Sequence, residues 1–201
     1  MRLVGTISAD EVVATFLRGD LDSPRFGDRL RALLHADGTD VSVIAEPDLS
    51  DRVANEYRSA LLARHHDWIG GEHVFGPFPS ALEWSRALLT PKEVLGIRYI
   101  DWDWWLRISG GTRLPLEAAK RIRRGEVPGG DPESDKSIAQ RLDSDSPPPE
   151  LIVVAPPDRS KLVVVEGHVR LTAYALFPEY LPEELAILLG VSAEIERWWA
   201  F

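Results

Sequence analysis

The chain has 201 residues, 44% of them hydrophobic, a net charge of −9 and no cysteine. That composition suffices for a buried core and excludes disulfides, thiolate zinc sites and a cysteine nucleophile. No apolar run approaches the roughly 20 residues of a membrane span, and the opening MRLVGTISADEVV lacks the apolar stretch of a signal peptide, so a cytoplasmic location with no membrane partner is expected.

Taken in order, residues 8–19 predict a helix: Ser8 or Asp10 caps it, Val12, Val13, Phe16 and Leu17 form a stripe, and Gly19 ends it. A second helix is expected over 25–34. VSVIAEP (41–47) alternates and is β-branched, which predicts a strand. Leu49–His65 has helical spacing. WIGGEHVFGPFPSALEW (68–84) begins as a loop, and Ser80 then starts a helix through Leu88. Residues 97–109 fit either a strand of period two or a short helix stopped by Gly110. Leu114–Arg124 is a helix opened by Pro115 and closed by Gly125.

Residues 126–149 are rich in Gly, Pro, Ser and Asp and read as a flexible insertion holding a short helix at 136–142. LIVVAP (151–156) and KLVVVEG (161–167) are unbroken apolar runs, as expected of adjacent strands covered on both faces. RLTAYALF (170–177) is a helix ended by Pro178, LAILLGV (185–191) a third strand, and SAEIERWWAF a closing short helix. The reading is α+β: a mostly helical region over 1–96, then a mixed-sheet core over 97–201.

The unit that carries chemistry is LVVVEGHVRLTAYAL (162–176), a strand running through Gly167 into a helix. Glycine lets backbone approach a ligand closely. The helix start directs free N–H groups and partial positive charge at the turn. His168 and Arg170 add donors, with Thr172 on the following turn, and arginine grips phosphate in bidentate fashion. Glu166 beside them would orient an arginine, hold a metal or move a proton. A His and an Arg at such a junction can equally face solvent.

EGHVRLTAYAL, preceded by PPPELIVVAPPDRSKLVVV, resembles the core of the ParB/sulfiredoxin superfamily over residues 110–191. Gly167 and Arg170 match the positions shared by that family's turns, Gly-Gly-Cys-His-Arg in sulfiredoxin-like members and Gly-Glu-Arg-Arg in partition proteins. The resemblance implies a nucleotide partner, ATP or CTP with Mg2+, held at the turn. It also implies an NTP-dependent phosphotransferase or hydrolase in which Glu166 and His168 are catalytic. The missing cysteine excludes thiol-based sulfinic-acid repair. The second arginine of the partition turn is absent, and no helix-turn-helix follows Val191. A non-catalytic regulatory, antitoxin or immunity protein on the same core, and a ParB-like nuclease, are the alternatives.

Further candidates are weaker. Ser109-Gly110-Gly111-Thr112-Arg113 is a second Gly-rich turn before a helix, placed where the family's entry loop would sit; it either cradles phosphate or joins a C-cap to an N-cap. Asp101 and Asp103 resemble a hard-metal pair, though two such carboxylates are more often solvated. His65, His66 and His73 lack thiolates and a helix-spaced pair, so they are expected at the surface. The Trp-rich stretches suit a core, or a homodimer or protein interface. Non-specific DNA binding is not expected at this charge.

Overall fold

In the computed structural model, residues 1–66, 78–79, 81–128, 132–144 and 147–201 are described. Residues 68–77 of the expected loop, with His73, lie outside them. The fold is α+β. By its contacts the chain divides into two compact units, residues 1–6 with 77–201, and residues 7–76. The first 96 residues therefore contribute strands to the sheet as well as a helical unit.

Strand β1 (Arg2–Thr6) comes first. The helical unit follows as an insertion: α1 (Ala9–Leu21), α2 (Gly27–Ala36), α3 (Ser42–Ala45) and α4 (Arg52–His66). Ser8 caps α1, its side-chain oxygen accepting from the Glu11 N–H at 3.1 Å. The helix runs past Gly19 to Leu21, because Leu17 and Leu21 share the buried face with Leu30, Leu34, Ile44 and Leu61. The strand expected at 41–47 is instead the single turn α3. Asp40 Oδ1 accepts from the Ser42 N–H at 2.8 Å and starts the turn, which buries Ile44 and leaves Val41 exposed.

The chain returns in β2 (Glu83–Leu89), where a helix was expected. β2 is antiparallel to β1 on one side and to β5 (Leu185–Val191) on the other. That two-sided pairing overrides the helix-forming residues of the segment. Next come α5 (Pro91–Val94), α6 (Asp103–Ile108), α7 (Pro115–Arg123) and α8 (Pro132–Gln140). The short-helix alternative thus holds for residues 103–108 of the Trp-rich segment, while Arg98 ahead of it makes an isolated bridge to Val163. The helix expected at 136–142 begins earlier and passes into a 3-10 turn at Arg141–Asp143.

Strands β3 (Leu151–Ala155) and β4 (Val163–Glu166) pair antiparallel, and α9 (His168–Leu176) leads on to β5. β3 and β5 are parallel, and the sheet order is β1-β2-β5-β3-β4. All five residues of β3 are buried, as its unbroken apolar run requires. One core holds Leu151, Val153, Val164, Ile187 and Leu189 of the sheet with Ile108, Ala118, Ala139, Leu171 and Tyr174 of the helices. No helix among the described residues is long and apolar enough to cross a membrane.

Candidate functional site

β4 delivers Glu166 to the carboxyl end of the strand, and Gly167 turns the chain into α9 with φ +102. A side chain at Gly167 would run into Leu151, and its Cβ would stand 3.3 Å from Nη2 of Arg170. The guanidinium therefore lies directly against the turn. It is bonded to Glu166 Oε1 at 2.5 Å and donates to the Pro149 carbonyl through Nη1. No side chain among the described residues caps the start of α9, and Val169 at its second position is exposed. The turn thus offers an uncapped helix start beside an arginine that Glu166 already orients.

His168 faces a different environment. Its ring stacks on Trp105 with centroids 4.8 Å apart, and Tyr99 stacks on Trp105 at 4.8 Å. Nε2 of His168 is buried with no hydrogen-bond partner among the described residues. Burial, and secondarily the nearby Arg170 charge, pull its pKa down to about 3. The imidazole is therefore neutral at ordinary pH, which suits a packing or orienting role better than proton donation. Thr172 Oγ1 donates to the His168 carbonyl at 2.8 Å, so its other contact, 2.7 Å from Tyr99 Oη, is accepted from the tyrosine hydroxyl.

The 109–113 loop closes on itself. Gly110 N–H donates to Arg107 O, Gly111 to Leu106 O, Thr112 to Ser109 O, and Arg113 N–H to Ser109 Oγ. The Ser109 hydroxyl donates to Trp105 O and that of Thr112 to Ser109 O. Arg113, itself in the left-handed region at φ +63, donates from Nε to Tyr99 O, from Nη1 to Phe201 O and from Nη2 to Ala200 O. Burial lowers its pKa, against the pull of Asp101, whose carboxylate is 3.8 Å away. The geometry here is that of a C-cap joined to a helix start, and the partners holding Arg113 are not those holding Arg170.

Asp101 and Asp103 are exposed, Asp103 in the first turn of α6. Neither belongs to a cluster of metal-ligand type among the described residues. The cluster found there is Asp20 with His65 and His66. This corrects the expectation of surface histidines, since His65 is fully buried and the side chain of His66 is only 10% exposed. Asp20 lies 45 positions before His65 in sequence, and no local pattern announces the association.

A cleft of about 370 Å³ opens at the carboxyl ends of β3 and β5, lined by Leu82, Glu83, Pro157, Val191 and Ser192 among others. Because β4 is antiparallel to β3, the Gly167 turn lies at the opposite end of the sheet from this cleft. Its polar side chains, Glu83 and Ser192, give a phosphate no cation. No protein-family model, no curated protein and no solved structure matches the chain.

Proposed function

We propose that the chain is a nucleotide-binding protein of ParB/sulfiredoxin-like type that holds the phosphates of ATP or CTP, with Mg2+, at the start of α9. The observation that carries this reading is the uncapped first turn of α9, bent in at Gly167 with the Arg170 guanidinium packed against it. A phosphate there would accept from the first-turn N–H groups and from Arg170 donors not engaged by Pro149 and Glu166. Glu166 fixes the guanidinium and is the one carboxylate within the motif able to take a proton or a metal, so hydrolysis or phosphoryl transfer would fall to it. His168, neutral and stacked, would form the wall of the site. The loop at 109–113 supports the site through Tyr99 rather than touching the anion.

The test is calorimetric titration of the full chain with ATP, CTP and GTP in Mg2+. One nucleotide is expected to bind, and Val169→Glu, which places a carboxylate in the exposed first turn of α9 beside the proposed anion, should weaken it about tenfold or more. Arg170→Lys should also weaken it, since lysine cannot reproduce the fork. Absence of binding by the parent, or equal affinity in Val169→Glu, rejects the site. Binding without turnover in the parent and in Glu166→Gln would make the protein a nucleotide-responsive regulator.

A further inference from the structure

Asp20 is the next-to-last residue of α1, and His65 and His66 form the end of α4. Their side chains meet inside the helical unit. His66 Nε2 lies 2.7 Å from Asp20 Oδ2, and His65 Nε2 lies 3.4 Å from the same oxygen. Asp20 is 2% exposed and His65 0%. Both ring nitrogens of His65 are buried without a hydrogen-bond partner among the described residues. A buried polar atom left this way is costly and calls for a partner.

We infer that Asp20, His65 and His66 form a three-ligand site for a divalent first-row transition metal, zinc in the first instance. The ligand atoms all lie within 4.8 Å of one another. Zinc–nitrogen bonds of about 2.0–2.1 Å in a tetrahedral shell set ligand atoms about 3.3 Å apart, so small side-chain rotations would complete the shell. A cation would replace the proton shared by Asp20 and His66 and would give one nitrogen of His65 its partner. The donor set of two imidazoles and one carboxylate selects such an ion over Mg2+ or Ca2+, which prefer oxygen alone.

The surroundings favour the same ion. Two helix C-termini meet at the cluster, and their partial negative charge attracts a cation. The Phe16 ring packs edge-on to His66 at 4.9 Å, and Phe26 approaches His65 at 5.9 Å and His66 at 5.7 Å. An aromatic wall of this kind limits solvent access to a metal. Three protein ligands leave a coordination position for water or a small anionic or carbonyl ligand, the arrangement of catalytic rather than purely structural zinc.

The experiment uses the full chain stripped of metal with a chelator and titrated with Co2+, then Zn2+. One Co2+ per chain with the intense visible bands of a four-coordinate site, displaced by Zn2+, is the expected result. His66→Gln should weaken binding at least about tenfold, while His35→Gln, at an exposed histidine away from the cluster, should bind as the parent does. No visible band together with no rise in melting temperature on adding Zn2+ overturns the proposal, as does parent-like binding by His66→Gln. Should His66→Gln fail to fold by circular dichroism, the parent decides by nitrogen-detected histidine NMR. Zn2+ must then move the ring signals of His65 and His66 and leave those of His35 and His168, and shifts that spare His65 and His66 refute the site.

Discussion

Buried Arg113 and half-buried His168, both of the sheet unit, illustrate how a residue type can suggest ligand chemistry while its contacts serve the fold. Arg113 directs Nε, Nη1 and Nη2 at three backbone carbonyls and so ties the 99–101 segment to the last residues of the chain. Replacing it by Ala strands those carbonyls. The expected loss is about 3 kcal/mol or more, at about 1 kcal/mol or more for each bond to a charged donor, read as a lower urea midpoint. His168 makes the complementary case. Its folded pKa of about 3 lies below the ordinary 6.5, with burial the main cause and Arg170 the second. Between these values the unfolded chain binds more protons, so the stability contributed by neutral His168 is present above pH 6.5 and is lost as pH falls toward 3. From pH 6.5 to 5 the parent should lose about 1.5 kcal/mol more than His168→Gln. Tryptophan fluorescence in urea follows this, because six of the seven tryptophans, Trp84, Trp102, Trp104, Trp105, Trp198 and Trp199, belong to the sheet unit. Equal pH slopes would show the imidazole to be solvated.

Among the elements, the junction of β4 with α9 is the most constrained. Gly167 and Gly125 both have positive φ, +102 and +70, but a Cβ at Gly125 meets nothing within 4 Å while one at Gly167 meets buried Leu151. Gly125→Ala should cost about 1 kcal/mol from backbone conformation alone, and Gly167→Ala distinctly more, in thermal or urea unfolding. Similar losses would mean that Leu151 yields freely. This junction was legible beforehand because its signals are local: unbroken β-branched runs in β3 and β4, a glycine at the bend, Pro178 after α9. The adjacency of β3 and β4 followed from the short turn between them. β2 was not legible. Glu, Arg, Ala and Leu in EWSRALL favour helix, and the segment is extended only because β1 and β5 pair with it. β1 was hidden for another reason: all five of its residues are exposed, so no apolar period marks it. At 41–47 the alternating valines misled, whereas Asp40, as an initiator of the α3 turn, was the better cue. Asp20 with His65 and His66, and the carbonyls around Arg113, depend on contacts across tens of residues, which periodicity and spacing do not encode.

At the scale of the whole molecule, the helical unit interrupts a hairpin. β1 and β2 pair antiparallel with Thr6 opposite Ser85, yet residues 7–76 separate them as a compact unit with its own core of Leu17, Leu30, Leu34, Ile44 and Leu61. The sheet unit likewise holds a continuous core that draws on all of its layers. A folded insertion between two paired strands is tolerated because its closure entropy grows only slowly with length, about 0.6 kcal/mol per doubling. Shortening it to a flexible linker should therefore restore an ordinary hairpin. We expect a chain in which residues 7–76 are replaced by about eight Gly and Ser residues to fold, with buried-tryptophan emission from the six tryptophans it keeps and a single cooperative urea transition. If nucleotide is held at the start of α9, that variant should keep nucleotide affinity within a few-fold of the parent, because Leu151 and Pro149, which meet Gly167 and Arg170, both lie in the sheet unit. If a metal is held by Asp20, His65 and His66, it should lose Co2+ binding entirely. A variant that fails to fold would show that the sheet depends on the inserted helices. A folded variant that loses nucleotide affinity would place part of that site within residues 7–76.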